Sequence, residues 1–201
     1  RIMPDHRPTN QIIFCSDEHA RRVTRCYGDP VVRTPTLDTI ARLGTRFTSA
    51  YTPSPICVPA RASLATGLQV HETRCWSSAE PYYGQHESWM HKLRDAGHPV
   101  VSVGKLHFRG PGDDHGFDEE IEPMYLANDG AGWVQGLLRD PMPRYDDTKE
   151  LSENIGAGET DYTEYDRRVS QQAVKWLKKY ATRFKTRPWC LFVSFISPHY
   201  P

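Results

Sequence analysis

Apolar and polar positions along the chain alternate between two periods. Gln11–Ser16 (QIIFCS), Pro99–Val103 (PVVSV) and Trp189–Ile196 (WCLFVSFI) are short, nearly continuous apolar runs, the pattern of strands buried on both faces. Between them, apolar residues recur three or four apart. Pro35–Leu43 opens on proline, carries Leu37, Ile40 and Leu43 on one face and stops at Gly44, so it predicts a helix. A short helix is expected from about Pro59 or Ala60 to Thr66. Ser88 is placed to cap a helix that runs through Ala96 and ends at Gly97. Asp161–Lys185 is the clearest helix, with Tyr162, Tyr165, Val169, Ala173, Trp176, Tyr180 and Phe184 on one stripe. Arg46–Tyr51 (RFTSAY) alternates and predicts a further strand. Phe108–Thr160 is rich in Gly, Pro and Asp and reads as one long loop or lid.

Hydrophobic strands that alternate with helices define an α/β protein with a mainly parallel sheet covered on both faces. In such sheets ligands bind beyond the carboxyl ends of the strands. Asp17, Lys105, His107 and His199 each follow a predicted strand, and Cys57 lies in a strand-to-helix turn. Residues far apart in sequence are thereby expected at one address.

Composition narrows the partners. The 201 residues suffice for one sizeable core. Lys and Arg (25) balance Asp and Glu (25), so no strong field favours nucleic acid or a membrane surface. No apolar run approaches the ~20 residues of a membrane span, and the first residues, RIMPDHRPTN, hold no apolar signal region. The five cysteines, 15, 26, 57, 75 and 190, form no CxxC pair. They suggest neither a disulfide frame nor a zinc knuckle and fit a reducing, cytoplasmic setting.

The chemistry centres on PSPICVPARASLATG. If Pro59 begins a helix, Cys57 lies at its amino-terminal mouth, where free N–H groups favour an anion. Arg61 stands one turn in, able to fork onto an oxyanion. A thiolate nucleophile is one reading. A tyrosine-phosphatase loop is not, since it needs arginine six residues after the cysteine, where this chain has Ser63.

The spacing Cys-x-Pro-x-Arg resembles the maturation signature of type I sulfatases, in which the cysteine is oxidised to formylglycine. Further blocks resemble the same family in the same order. NQIIFCSDEH is similar to its first metal-binding strand, and CYGDPVVRTPTLDTIARLGTRFTSAY to the approach to the nucleophile. GKLHF resembles the Gly-Lys-x-His signature, and SFISPHYP the later strand that ends in Pro-His. RCWSSAEPYYGQHESWMHKLRDAGHPVVSVGKLHFRG looks most like choline sulfatases. The resemblance implies an alkaline-phosphatase-like α/β/α sandwich with a mainly parallel mixed sheet, of which residues 1–201 are the N-terminal part of one catalytic domain. It also implies hydrolysis of a small sulfated substrate. Cys57, as formylglycine hydrate, would attack sulfur. Asp17 and Glu18, with the modified Cys57, would bind a hard cation, Ca²⁺ or else Mg²⁺ or Mn²⁺. Arg61 would steady the hydrate, Lys105 and His107 would hold the sulfate, and His199 would bind sulfate or assist the leaving oxygen. A formylglycine-generating maturation enzyme is the implied partner, and a monomer or an oligomer is compatible with the sequence.

Three departures from the family pattern stand out: Glu18 in place of a second aspartate, Val58 in place of a small residue, and Ala60 in place of serine. The family's later metal ligands and a further sulfate-binding lysine are expected beyond Pro201. Asp113-Asp114-His115 reads as a polar loop, and His71 as either pocket or core. Trp76, Tyr82, Tyr83 and Trp89 read as core or loop anchors, the rival role being a cage for a quaternary ammonium. Three rivals to sulfate ester hydrolysis stay open. They are a phosphonate monoester or phosphodiester hydrolase on the same scaffold, a non-catalytic anion-binding module, and a thiolate hydrolase with unmodified Cys57.

Overall fold

The computed structural model describes residues 9–132, 155–180 and 187–200. Strands β1 (Gln11–Ser16), β2 (Val100–Lys105), β3 (Glu119–Met124) and β4 (Cys190–Phe195) form one sheet in the order β1-β4-β2-β3. Every pair is parallel, with Ile13 opposite Phe192 and Val101 opposite Leu191. Helices α1 (Pro35–Leu43), α2 (Cys57–Thr66), α3 (Val70–Thr73) and α4 (Trp89–Asp95) lie between β1 and β2 in sequence, and α5 (Asp161–Tyr180) between β3 and β4.

The period of two along the central strands sorts the core into two layers. On one face Val100, Cys190 and Phe192 pack with Ala62 and Ala65 of α2, Met90 of α4 and Phe117. On the other, Val101, Val103, Leu191 and Val193 meet Tyr165, Val169, Ala173 and Trp176 of α5. Each valine, leucine, methionine or phenylalanine among them, taken fully out of water, stabilises the fold by roughly 1.5–3 kcal/mol. The α5 stripe is therefore core.

Several elements differ from the sequence reading, for local reasons. Arg46–Tyr51 forms no strand. Phe47 and Tyr51 are 68% and 93% exposed, and in place of a partner strand side chains meet this backbone, the Phe47 carbonyl accepting from the Tyr27 hydroxyl at 2.7 Å and the Thr48 carbonyl from Arg21. Strand β3 lies inside the segment read as one loop. Its sequence, EEIEPM, is too charged for a buried strand, but β3 ends the sheet order, where charge and proline are tolerated. Strand β2 runs on to Lys105, and α2 starts at Cys57 rather than at Pro59. Ser88 does cap α4, its hydroxyl accepting from the His91 N–H at 3.2 Å. The rest of the expected 161–185 helix, with Phe184, and residues 133–154 of the expected lid lie outside the described residues.

Glycine is required at 104, where φ is +104° and a Cβ would stand 2.1 Å from the Ser194 carbonyl oxygen. The pairing of β2 with β3 shifts register between Val103 and Lys105. The last turn of β2 thus presses onto β4 just before the chain delivers Lys105 and His107. All five cysteines are free. Among the described residues no helix is long and apolar enough to cross a membrane.

Candidate active site

The carboxyl ends of β1, β4 and β2 lie side by side, and the amino terminus of α2 meets them. Lys105, the last residue of β2, is 1% exposed, and Asp17, the first after β1, is 8% exposed. The Lys105 ammonium donates directly to Asp17 Oδ2. Arg61 is 6% exposed. Its Nη1 donates to the Lys105 carbonyl at 2.7 Å and to Ser194 Oγ at 3.2 Å. Its Nη2 lies 3.5 Å from Asp17 Oδ1 and, buried, has no hydrogen-bond partner among the described residues.

Two cations thus share one buried carboxylate, an excess of positive charge that suits an anionic guest. Burial by itself would raise the Asp17 carboxyl. The hydrogen bond from Lys105 and the charges of Arg61 and Lys105 outweigh it and hold the group below its usual range.

Cys57 is the first residue of α2, whose first intrahelical bond runs from the Ala60 N–H to the Ile56 carbonyl at 3.0 Å. Pro59 has no N–H, and the N–H groups of Cys57 and Val58 precede the first intrahelical bond, the position that favours an anion. Cys57 Sγ lies 3.4 Å from His107 Nδ1. Burial, then the charges of Lys105 and Arg61, push the His107 imidazole down to about 3, so it is neutral at pH 7. His199 Nε2 lies 3.4 Å from Glu18 Oε1. Glu18 and His107 both hold left-handed backbone, φ +56° and +53°, a conformation that costs a side-chain-bearing residue energy and recurs at functional sites.

The structure therefore brings all seven sequence-derived residues to one end of the sheet. Asp17, Arg61 and Lys105 form a buried triad, with Cys57 against His107 and Glu18 against His199. Sequence reasoning missed Ser194, whose only signal is a serine inside the otherwise apolar WCLFVSFI.

Asp17 and Glu18 carry the oxygen donors that suit a hard divalent cation. Among the described residues no group of three or more His, Cys, Asp or Glu could hold a metal. These two residues fit a cation only as part of a larger ligand set.

Of the remaining polar candidates, Asp113, Asp114 and Nδ1 of His115 have partners, while His115 Nε2 is buried with no hydrogen bond among the described residues. Asp113 pairs with Arg109. Asp114 accepts two bonds from Arg94 at 2.6 and 2.8 Å. His115 Nδ1 lies 2.9 Å from Glu120. Tyr82 is a buried anchor donating to the His86 carbonyl at 2.6 Å, and Trp89 packs on Phe117 and Phe192. The Arg109 guanidinium already sits 4.2 Å from the Tyr83 ring centroid. Trp76 and His71 are exposed.

The family model "Sulfatase" matches residues 9–201. A choline-sulfatase of Rhizobium meliloti (strain 1021) is 37% identical over 174 residues, which cover 83% of this chain and 34% of that protein. Among solved structures, a protein in complex with its substrate D-glucosamine-2-N,6-O-disulfate matches with a TM-score of 0.68 at 24% identity, covering 96% of this chain and 35% of that one. The phosphonate monoester hydrolase of Agrobacterium radiobacter matches with a TM-score of 0.64 at 21% identity, covering 96% of this chain and 41% of that one. The fold is alkaline-phosphatase-like, and the chain spans about a third of the length of the curated relative it matches.

Proposed function

The chain belongs to the sulfatase family, and from that premise we propose that the whole protein hydrolyses a sulfate ester at the site of Cys57, Arg61, Lys105, His107 and His199. The observation that carries this reading is Cys57 at the mouth of α2, 3.4 Å from His107, with the Arg61 and Lys105 cations buried alongside. A sulfate monoester is a compact anion whose charge shifts toward the leaving oxygen as it reacts. Cations already dehydrated and fixed stabilise that charge without reorganising.

Oxidation of Cys57 to formylglycine by a maturation enzyme would supply, as its hydrate, the oxygen nucleophile that a thiol lacks. Arg61, locked by Lys105 O and Ser194 Oγ, keeps one guanidinium nitrogen for the group at position 57 or for a sulfate oxygen. Lys105 holds the sulfate once its ammonium turns from Asp17. His107, neutral and beside the group at position 57, holds the sulfate by hydrogen bonding rather than by charge. His199 binds the ester or protonates the departing alcohol. Asp17 and Glu18, with the modified Cys57 and ligands from the rest of the protein, would hold a divalent cation such as Ca²⁺, which would lower the charge on the sulfate oxygens. Residues 1–201 form the N-terminal part of this catalytic domain. The likeness to a choline-sulfatase supports a small sulfated alcohol as substrate.

The test is peptide mass spectrometry across Pro55–Arg74 of full-length protein made with an active maturation system, followed by turnover of paired substrates. Formylglycine at 57 and hydrolysis of sulfate esters are expected. Faster turnover of phosphonate monoesters or phosphodiesters would move the protein to that activity on the same scaffold. An unmodified thiol, beside a control sulfatase matured in the same cells, would favour the thiolate or the anion-binding module.

A further inference from the structure

We propose that Asp166, on α5, is a positioning residue for His199. Its carboxylate accepts from two consecutive backbone N–H groups just past the end of β4: Oδ1 from Ile196 at 2.8 Å and Oδ2 from Ser197 at 2.9 Å. Where a strand ends its N–H groups lose their ladder partners, and a carboxylate that takes two of them at once fixes the direction of the chain. The same two residues begin the turn that carries His199, which closes through the His199 N–H to the Ile196 carbonyl at 2.9 Å.

Two further contacts hold the turn. Ser16 Oγ donates to the Ser197 carbonyl at 2.8 Å. The Tyr162 ring, one turn before Asp166 on α5, meets the His199 ring edge-on with centroids 6.1 Å apart. The turn is therefore seated on α5 by Asp166 and Tyr162 together, and His199 reaches Glu18 from that seat. Asp166 is half-buried, and among the described residues its hydrogen bonds go to the turn and none to Cys57, Arg61, Lys105 or His107, so it acts through the turn. The inference rests on the reading of His199 as a residue that touches the sulfate or the leaving oxygen.

The test uses full-length matured protein and Asp166→Asn, which keeps the size of the side chain but replaces one acceptor oxygen by an amide that cannot receive an N–H. Displacing His199 by a fraction of an ångström is expected to lower kcat about 10- to 100-fold, with a smaller change in KM. Asp166→Asn combined with His199→Ala should be no slower than His199→Ala within about twofold, because residues that act as one unit are not additive. Independent losses that multiply, or an Asp166→Asn enzyme with wild-type kcat, would overturn the inference. A readout free of turnover is the His199 ring resonance in NMR of histidine-labelled protein, assigned by its loss in His199→Ala. It should shift in Asp166→Asn, and an unmoved resonance would overturn the positioning role. Wild-type matured protein with no activity on sulfate esters would instead refute the functional reading, while the resonance still decides whether Asp166 sets His199.

Discussion

The buried ammonium of Lys105 donates to the carboxylate of Asp17, although the two residues stand at the ends of β2 and β1, with β4 between those strands. Removing one charge leaves the other buried, and an uncompensated buried charge costs about 3–5 kcal/mol.

Lys105→Met should therefore lower unfolding free energy, measured by denaturant titration of the full-length protein. Arg61, 3.5 Å from Asp17, absorbs part of the loss, so a drop of about 2–4 kcal/mol is expected. Asp17→Asn, which leaves the buried Arg61 and Lys105 cations without their shared carboxylate, should cost more than Lys105→Met. An equal or smaller loss would show that Arg61 does not share the carboxylate.

In kinetics, Lys105→Ala should lower kcat of the matured enzyme more than it raises KM, because a fixed cation acts most where charge develops. A pure KM effect would assign the lysine to ground-state binding alone. Cys57→Ala should abolish turnover, and substantial remaining activity would remove Cys57 from the nucleophile role.

The cysteines should differ in reactivity. Burial pushes the Cys190 thiol up to about 11 and raises that of Cys75 as well. Both are buried, so neither should react with iodoacetamide in native protein at pH 8, and both should react after denaturation. Half-buried Cys57 should be alkylated in unmatured protein and give no adduct once matured. Peptide mass spectrometry reads all three at once.

Acid should act through Asp114. The hydrogen bonds from Arg94 hold its carboxyl well below the usual aspartate range, so the folded state binds that proton less readily than the unfolded chain. The pair's stabilisation is present above the unfolded value near 4 and is lost as pH falls further. Arg94→Ala should cost a little stability at pH 7, since the Asp114 side chain is 61% exposed. The gap to wild type in thermal midpoint should close as the pH is lowered through the acid range. A gap that persists unchanged would place the effect in packing of the arginine stem.

Two glycines with positive φ should respond differently to alanine. At Gly67 a Cβ meets nothing within 4 Å, so Gly67→Ala should cost only the left-handed backbone penalty, about 1–2 kcal/mol. At Gly104 the Cβ would lie 2.1 Å from a β4 carbonyl. Gly104→Ala must part β2 from β4 and should cost several-fold more, with loss of soluble yield. Equal losses would mean that the strands give way freely.

The sequence alone determined the elements whose signals are local. Apolar runs set β1, β2 and β4, although β1, read as buried on both faces, leaves Ile12 and Phe14 41% and 63% exposed among the described residues. Three-four spacing set α1 and α5, and Ser88 and Gly97 bracketed α4. Their alternation determined the parallel α/β sheet, and hence that Asp17, Cys57, Lys105, His107 and His199 would meet at the strand ends. What it misjudged depended on partners. RFTSAY has the period of a strand but among the described residues no neighbouring strand to pair with, while EEIEPM lacks the period yet is held by β2 through backbone bonds, Pro123 being tolerated at the end of the sheet. Tertiary structure alone decided that Lys105 reaches past β4 to Asp17, that Ser194 and the Lys105 carbonyl lock Arg61, and that Asp166 grips the turn before His199. Each of these contacts joins residues far apart along the chain through the sheet order and the packing of α5. Hydrophobic period records which face of an element is apolar, as on α1, whose Leu37, Ile40 and Leu43 are exposed among the described residues; it carries no information about which distant atom lies on the other side.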